Sequence, residues 1–244
     1  LATKAANKQY NIVVAVGGDG TINEIVQGLA HTNTALGILP CGSGNGLARQ
    51  LKMPLLSIKK CLEIIKKGNT ILADIGMAGS EYFINLAGIG FEALIAHKFA
   101  NSKTRGALPY FEIGFREYIK FRRIKFYITP DNSKRLVMKP LCVVFANGKQ
   151  YGSNFTIAPD ASLNDGFLDM IVLPHANPIK MLLGMGNFFI DKSSPIRLTN
   201  CTKIKEVEIY AKKDFEYHID GEPRRSNGTL KIKLLPKAIK LIVK

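Results

Sequence analysis

Val16-Gly17-Gly18-Asp19-Gly20-Thr21 separates two patterns of sequence. Before it, residues 11–16 form a short β-branched apolar block that reads as a buried strand of a parallel sheet. After it, Thr21 and Glu24 have the T-x-x-E spacing of a capping box, and Ile22, Ile25, Val26 and Leu29 recur with helical period. A glycine turn between strand and helix offers backbone amides and the positive helix end to an anion, for which phosphate is the natural guest. Such turns are also ordinary connections, so this one alone leaves both readings open. No G-x-x-x-x-G-K-[ST] occurs, which excludes a Walker-type loop.

Working outward, a second strand at residues 35–39 leads into Pro40-Cys41-Gly42-Ser43-Gly44-Asn45-Gly46 and a short helix from Leu47, then a helix over 57–67. This alternation predicts an α/β domain with both loops on one sheet edge, where open α/β sheets bind ligands. Ser43 and Asn45 add side-chain donors for phosphate or ribose. Asp19, an acid in an anion-favouring loop, fits either a bridging cation or a plain Asp-Gly turn. After Gly68 short strand-like runs take over, at 71–75, 82–86, 124–128, 141–146, 168–173, 207–210, 215–219 and 230–234, which indicates antiparallel β structure. Helices are predicted at 91–101, 107–118 and 178–189.

The 244 residues, 46% hydrophobic, suffice for one large or two modest domains. Lys and Arg outnumber Asp and Glu by 34 to 19, and the resulting charge of +15 attracts polyanions without choosing among them. No apolar stretch approaches the roughly 18 residues needed to span a bilayer, so membrane contact is predicted to be peripheral. Four scattered cysteines have neither disulfide nor metal spacing and suit a cytoplasmic protein. Residues 1–10 read as the end of a helix, so an upstream segment is expected.

The motifs continue in order beyond the glycine loops. Asn85 precedes Gly88-Ile89-Gly90-Phe91-Glu92-Ala93, then come Ala158-Pro159, Asn164-Asp165-Gly166 and Ile219-Asp220-Gly221-Glu222. This series resembles the diacylglycerol kinase catalytic-domain family of lipid kinases, which includes bacterial lipid kinases and the sphingosine and ceramide kinases. The resemblance implies an NAD-kinase-like α/β nucleotide-binding domain over residues 1–73, truncated at its N-terminus. An antiparallel β-sandwich lipid domain over 74–244 would follow, with 236–244 returning to the first domain. It implies ATP and Mg2+ as cofactors. The nucleotide site would comprise Gly17, Gly18, Asp19, Gly20, Thr21, Asn23, Glu24, Gly42, Ser43, Gly44 and Asn45.

By the same resemblance Asp220 is the general base with Glu222 beside it, Glu92 lies near the lipid headgroup, and Asp165 holds a structural Mg2+ with the carbonyls of Ser162 and Phe167. Read without the family, Asp220-Gly221 and Asn164-Asp165-Gly166 are hairpin turns and Glu92 is a solvated helix residue. The implied activity is ATP-dependent phosphorylation of a lipid hydroxyl at an anionic membrane surface, with no nucleic-acid partner and with a homodimer allowed. Alternatives are an NAD kinase, which shares the first loop, and a non-catalytic basic lipid-binding module. Residues 120–126 interleave cations with aromatic and branched residues, which suits anionic lipid or a half-buried strand equally. Lys103 and Arg105 could meet phosphate or line a surface loop.

Overall fold

A computed structural model describes residues 1–100, 107–152, 155–175 and 200–244. Lys103, Arg105 and the helix predicted at 178–189 lie outside those residues. In chain order the elements begin with α1 (Ala2–Asn7), β1 (Ile12–Gly17), α2 (Asp19–Leu29), β2 (Ala35–Pro40), α3 (Gly46–Gln50) and α4 (Ile58–Lys67). Next come β3 (Thr70–Ala78), β4 (Glu81–Phe83), β5 (Leu86–Gly90), α5 (Phe91–Ala100), α6 (Ala107–Lys120), β6 (Phe126–Pro130) and β7 (Leu136–Met138). The chain continues with β8 (Cys142–Ala146), β9 (Gln150–Gly152), β10 (Phe155–Thr156), β11 (Leu168–Leu173) and β12 (Asn200–Ile204). It closes with β13 (Glu206–Ala211), β14 (Phe215–Ile219), β15 (Glu222–Ser226) and β16 (Thr229–Ile242).

The fold is an α/β unit followed by a β-sandwich. β1 and β2 pair in parallel, Ile12 opposite Ala35 through Gly17 opposite Pro40, so both glycine loops leave the same sheet edge. The helical period places Ile22, Val26 and Leu29 of α2, and Cys61, Ile64 and Ile65 of α4, in a core with Leu36, Ile38 and Leu47. Each such burial contributes roughly 1.5–3 kcal/mol. α4 begins where Ser57 accepts a bond from the Lys60 amide and ends at Gly68, whose left-handed φ of 70° a side chain would disfavour.

Two sheets make the sandwich. One has the order β12-β11-β8-β5-β14-β15. Against it lies the sheet that also carries β1 and β2, in the order β1-β2-β16-β13-β6-β7, with β3 and β4 on the other edge of β16. Phe83, Phe126, Phe145, Ile89, Val207 and Ile232 fill the space between them. β16 joins the halves: residues 229–233 pair with β13, and Lys240 and Leu241 pair in parallel with Ala35 and Leu36 of β2. Its bulge between Leu235 and Ile239 is held by buried Asp74 on β3, whose Oδ1 accepts from the Lys237 amide at 2.7 Å and whose Oδ2 accepts from Gly166 at 2.8 Å.

Several expectations need correction. β1 stands at the edge of the sheet that these residues form, with Ile12, Val14 and Val16 exposed there. The strand predicted over 82–86 breaks at Ile84 and Asn85, because those amides turn away from the ladder. The apolar members of 120–126 point inward: Phe126 is 1% exposed and Phe121 packs edge-on to Phe91, leaving Arg122, Arg123 and Lys125 at the surface. No helix among the described residues is long and apolar enough to cross a membrane.

Candidate active site

The first glycine loop starts its helix earlier than the capping-box spacing predicts. Gly18 is the N-cap of α2, with φ −97° and ψ −167°, and no side chain caps it. Thr21 therefore sits inside the first turn, its hydroxyl close over Gly17, where an added Cβ would meet Oγ1 at 2.6 Å. Thr21 and Glu24 are both exposed. An uncapped N-terminus leaves first-turn amides without intrahelical partners, a ready donor set for an anion.

The second loop presses against the first. A Cβ on Gly42 would stand 2.4 Å from the Gly18 Cα, so Gly42 must be glycine at this backbone contact, and a Cβ on Gly18 would be tight at 3.1 Å from the Gly42 Cα. Asn45, left-handed at φ 52°, is buried and closes its own loop: Oδ1 accepts from the Gly42 amide at 2.9 Å and Nδ2 donates to the Gly42 carbonyl at 2.6 Å. Its donors thus build the loop rather than stand open to a ligand. Ser43 is exposed, and Arg49 Nε donates to the Gly44 carbonyl at 2.9 Å. Asp19 Oδ1 accepts from the Leu47 amide at 3.4 Å, at the start of α3. Burial raises its pKa above the ordinary value, opposed by the amides of Gly46, Leu47 and Asn45. Asp19 therefore ties one loop to the next helix.

The opposite wall is the β14–β15 turn. Asp220, at φ 48°, is half-buried, and its carboxylate collects four donors. Oδ2 accepts from Asn23 Nδ2 at 2.8 Å and the Ile84 amide at 2.9 Å, while Oδ1 accepts from the amides of Asn85 and Leu86, each at 2.9 Å. Burial raises the pKa of Asp220, with these bonds opposing. Glu222 is exposed, and its Oε1 would be 3.5 Å from a Cβ on Gly20. Asn23 and Gln27 share a face of α2, and both donate to the Tyr82 carbonyl, at 3.0 and 2.7 Å. The helix that opens at the glycine loop is thereby fastened to the turn carrying Asp220. Ile84 and Gln27 belong to this assembly, and nothing in their local sequence marks them, whereas His218 is set apart from the other histidines by its place two residues before Asp220.

Glu92 and Asp165 lie elsewhere. Glu92 opens α5 and is almost enclosed, Oε1 lying 3.2 Å from His218 Nε2 and Oε2 accepting from the Tyr151 hydroxyl. The Asp165 carboxylate accepts from the Phe167 amide at 3.1 Å and from Lys203 Nζ at 2.6 Å. Ser162 turns its hydroxyl to Asn164 Oδ1 at 2.9 Å. The Lys203 ammonium, also 3.5 Å from Asp169, supplies the positive charge here, and a divalent ion would be set against it. As arranged, Lys203 holds the Asp165 carboxylate that the resemblance assigns to a structural Mg2+, and among the described residues no cluster of three or more His, Cys, Asp or Glu could hold a metal.

The family described as diacylglycerol kinase catalytic domain matches residues 1–78, and the C-terminal NAD-kinase β-sandwich-like domain named after YegS matches 85–243. The chain belongs to the diacylglycerol kinase family. As a member it is a lipid kinase. Over 229 residues it is 30% identical to the diacylglycerol kinase of Bacillus subtilis strain 168, covering 91% of this chain and 74% of that one. A diacylglycerol kinase crystal structure from Bacillus anthracis strain Sterne superposes with a TM-score of 0.75 at 22% identity, covering all of this chain and 81% of the other. An NAD kinase from Archaeoglobus fulgidus, solved in complex with ATP, shares the fold more distantly, with a TM-score of 0.53 at 14% identity over 96% of this chain and 78% of that one.

Proposed function

We propose that this diacylglycerol kinase family member transfers the γ-phosphate of ATP to a hydroxyl of a diacylglycerol, sphingoid base or related lipid at an anionic membrane surface. The observation that carries the reading is the 2.8 Å bond from Asn23, on the helix opened by the glycine loop, to Asp220, 197 residues away. This bond supports bringing the glycine-loop helix and the acid to one site, which phosphoryl transfer needs because positioning and charge neutralisation dominate its catalysis.

ATP would lay its phosphates on the amides of residues 18–21 and the Gly42–Gly44 backbone, with Mg2+ arriving as part of the nucleotide and screening its charge. The lipid oxygen then bonds to the γ-phosphorus as the β–γ bridging bond breaks, and the hydroxyl proton passes to a carboxylate. Asp220 is the acceptor in this reading. Of its four donors only Asn23 is on a rotatable side chain, so the Asn23 amide is the one a lipid hydroxyl displaces. Glu222, beside Gly20, orients the incoming hydroxyl. Phe115 and Ile119, exposed one turn apart on α6, with Arg122 and Arg123 nearby, offer the apolar and cationic contacts of a peripheral membrane face.

The test is transfer of labelled phosphate from Mg-ATP to diacylglycerol, ceramide, sphingoid base and phosphatidylglycerol in anionic vesicles, with NAD as a parallel acceptor. Labelled lipid supports the reading. Labelled NAD alone, or vesicle binding without turnover, overturns it.

A further inference from the structure

Behind the Asp220–Gly221 turn lies a buried group that the reaction described above does not use. His218 is 1% exposed and pairs in register with Gly88 of β5. A Cβ on Gly88 would come within 1.4 Å of Glu92 Oε1 and 2.8 Å of His218 Nε2. The glycine thus leaves the space through which Glu92 folds back over its own strand to reach the imidazole. Tyr151 holds the other Glu92 oxygen.

The far side of the imidazole faces the turn. His218 Nδ1 accepts from the Gly221 amide at 3.3 Å. An amide can only donate, so Nδ1 is unprotonated and the ring proton resides on Nε2, toward the Glu92 carboxylate. That turn needs an external hold: Asp220 is left-handed at φ 48° and Gly221 has φ 88°, and a non-glycine residue in this region is unfavourable. Burial raises the pKa of Glu92, opposed by His218, as expected for an acid whose charge is balanced only locally.

We infer that Tyr151, Glu92 and His218 form a positioning relay for the Asp220 turn: Glu92 fixes the imidazole tautomer, and the imidazole fixes the Gly221 amide and hence the direction of the Asp220 carboxylate. The inference rests on the kinase reading and revises one part of it, since Glu92 acts through His218 rather than as a headgroup ligand. His218 and Glu92 are positioning residues, and neither touches substrate.

The experiment combines imidazole nitrogen NMR on the whole protein with steady-state kinetics. At neutral pH the His218 spectrum should show the Nε2–H tautomer. His218→Leu should lower kcat roughly ten- to a hundred-fold, as a misplaced catalytic group does, with KM for lipid and ATP within about twofold of the parent. His218→Asn, whose side-chain oxygen can still accept from Gly221, should recover most of that loss. An Nδ1–H or doubly protonated ring, an unchanged kcat in His218→Leu, or a Glu92→Gln variant that raises lipid KM at constant kcat would each overturn the relay. A parent protein without transfer activity refutes the kinase reading alone, because the NMR tautomer still decides the His218 geometry.

Discussion

Replacing Asp220 separates its chemical part from its structural one. Alanine there would strand the amides of Ile84, Asn85 and Leu86, and at about 1–3 kcal/mol for each unsatisfied buried donor the loss approaches the 5–15 kcal/mol stability of a typical domain. Asp220→Asn is the sharper perturbation. Its remaining oxygen can keep the Asn85 and Leu86 bonds, and a flipped Asn23 can accept from the new amide while giving up its bond to the Tyr82 carbonyl, which Gln27 still serves, so one stranded donor, Ile84, remains. The expected cost is about 1–3 kcal/mol, which lowers Tm by roughly 2–12 °C for a chain of this size. Removal of the proton acceptor should lower kcat by about 10²–10⁴. Differential scanning fluorimetry and labelled-ATP transfer on the same preparation read both quantities. A folded Asp220→Asn variant that retains kcat within tenfold of the parent would refute the assignment of Asp220 as acceptor.

Gly42→Ala forces a methyl group to within 2.4 Å of Gly18 and must part the two loops; the ATP dissociation constant should rise at least tenfold while lipid binding, read by vesicle sedimentation, is unchanged. Asp220 and Glu92 both have pKa values raised on folding, so the native state binds protons more tightly than the unfolded one. Their ionisation costs stability as pH climbs from their ordinary values of 3.8 and 4.5 through the folded values. Glu92→Gln should flatten that slope in chemical denaturation at several pH values, and the acid limb of kcat/KM should lie above pH 3.8, because Asp220 must be ionised to act. Lys203→Met removes the ammonium at Asp165, and Tm should become dependent on added Mg2+, where the parent shows no such dependence; equal Tm responses would count against the lysine's substitution for a metal.

How much of this was legible in the sequence depends on range. The glycine loops, their common edge and the helical faces of α2 and α4 follow from local period and turn chemistry, which act over a few residues. The start of α2 is not legible because T-x-x-E spacing says nothing of the extended Gly18 backbone that begins the helix three residues sooner. The strand pattern covers only 230–234 of β16, and the return of 236–244 is implied by the resemblance alone, because the left-handed Lys237 in the bulge is held by Asp74, 163 positions away. The same applies to the site. Asp220 is marked only by the family resemblance, since its turn alone reads as a hairpin; its donors lie 134 to 197 positions away, and no local signal marks Ile84 or Gln27 as its neighbours. Membrane-facing aromatics were sought at 120–126, where alternation instead carries Phe126 into the sandwich core.

β16 follows every other element in the chain, yet it lies in the interior of the large sheet, bonded along one edge to β13 and β2 and along the other to β3. On the ribosome, then, β2 and β3 emerge long before the strand that unites them, and their edges wait unpaired while the sandwich is still being made. Such exposed edges invite association with other chains. The α/β half thus cannot complete its sheet until residues 229–242 have been made.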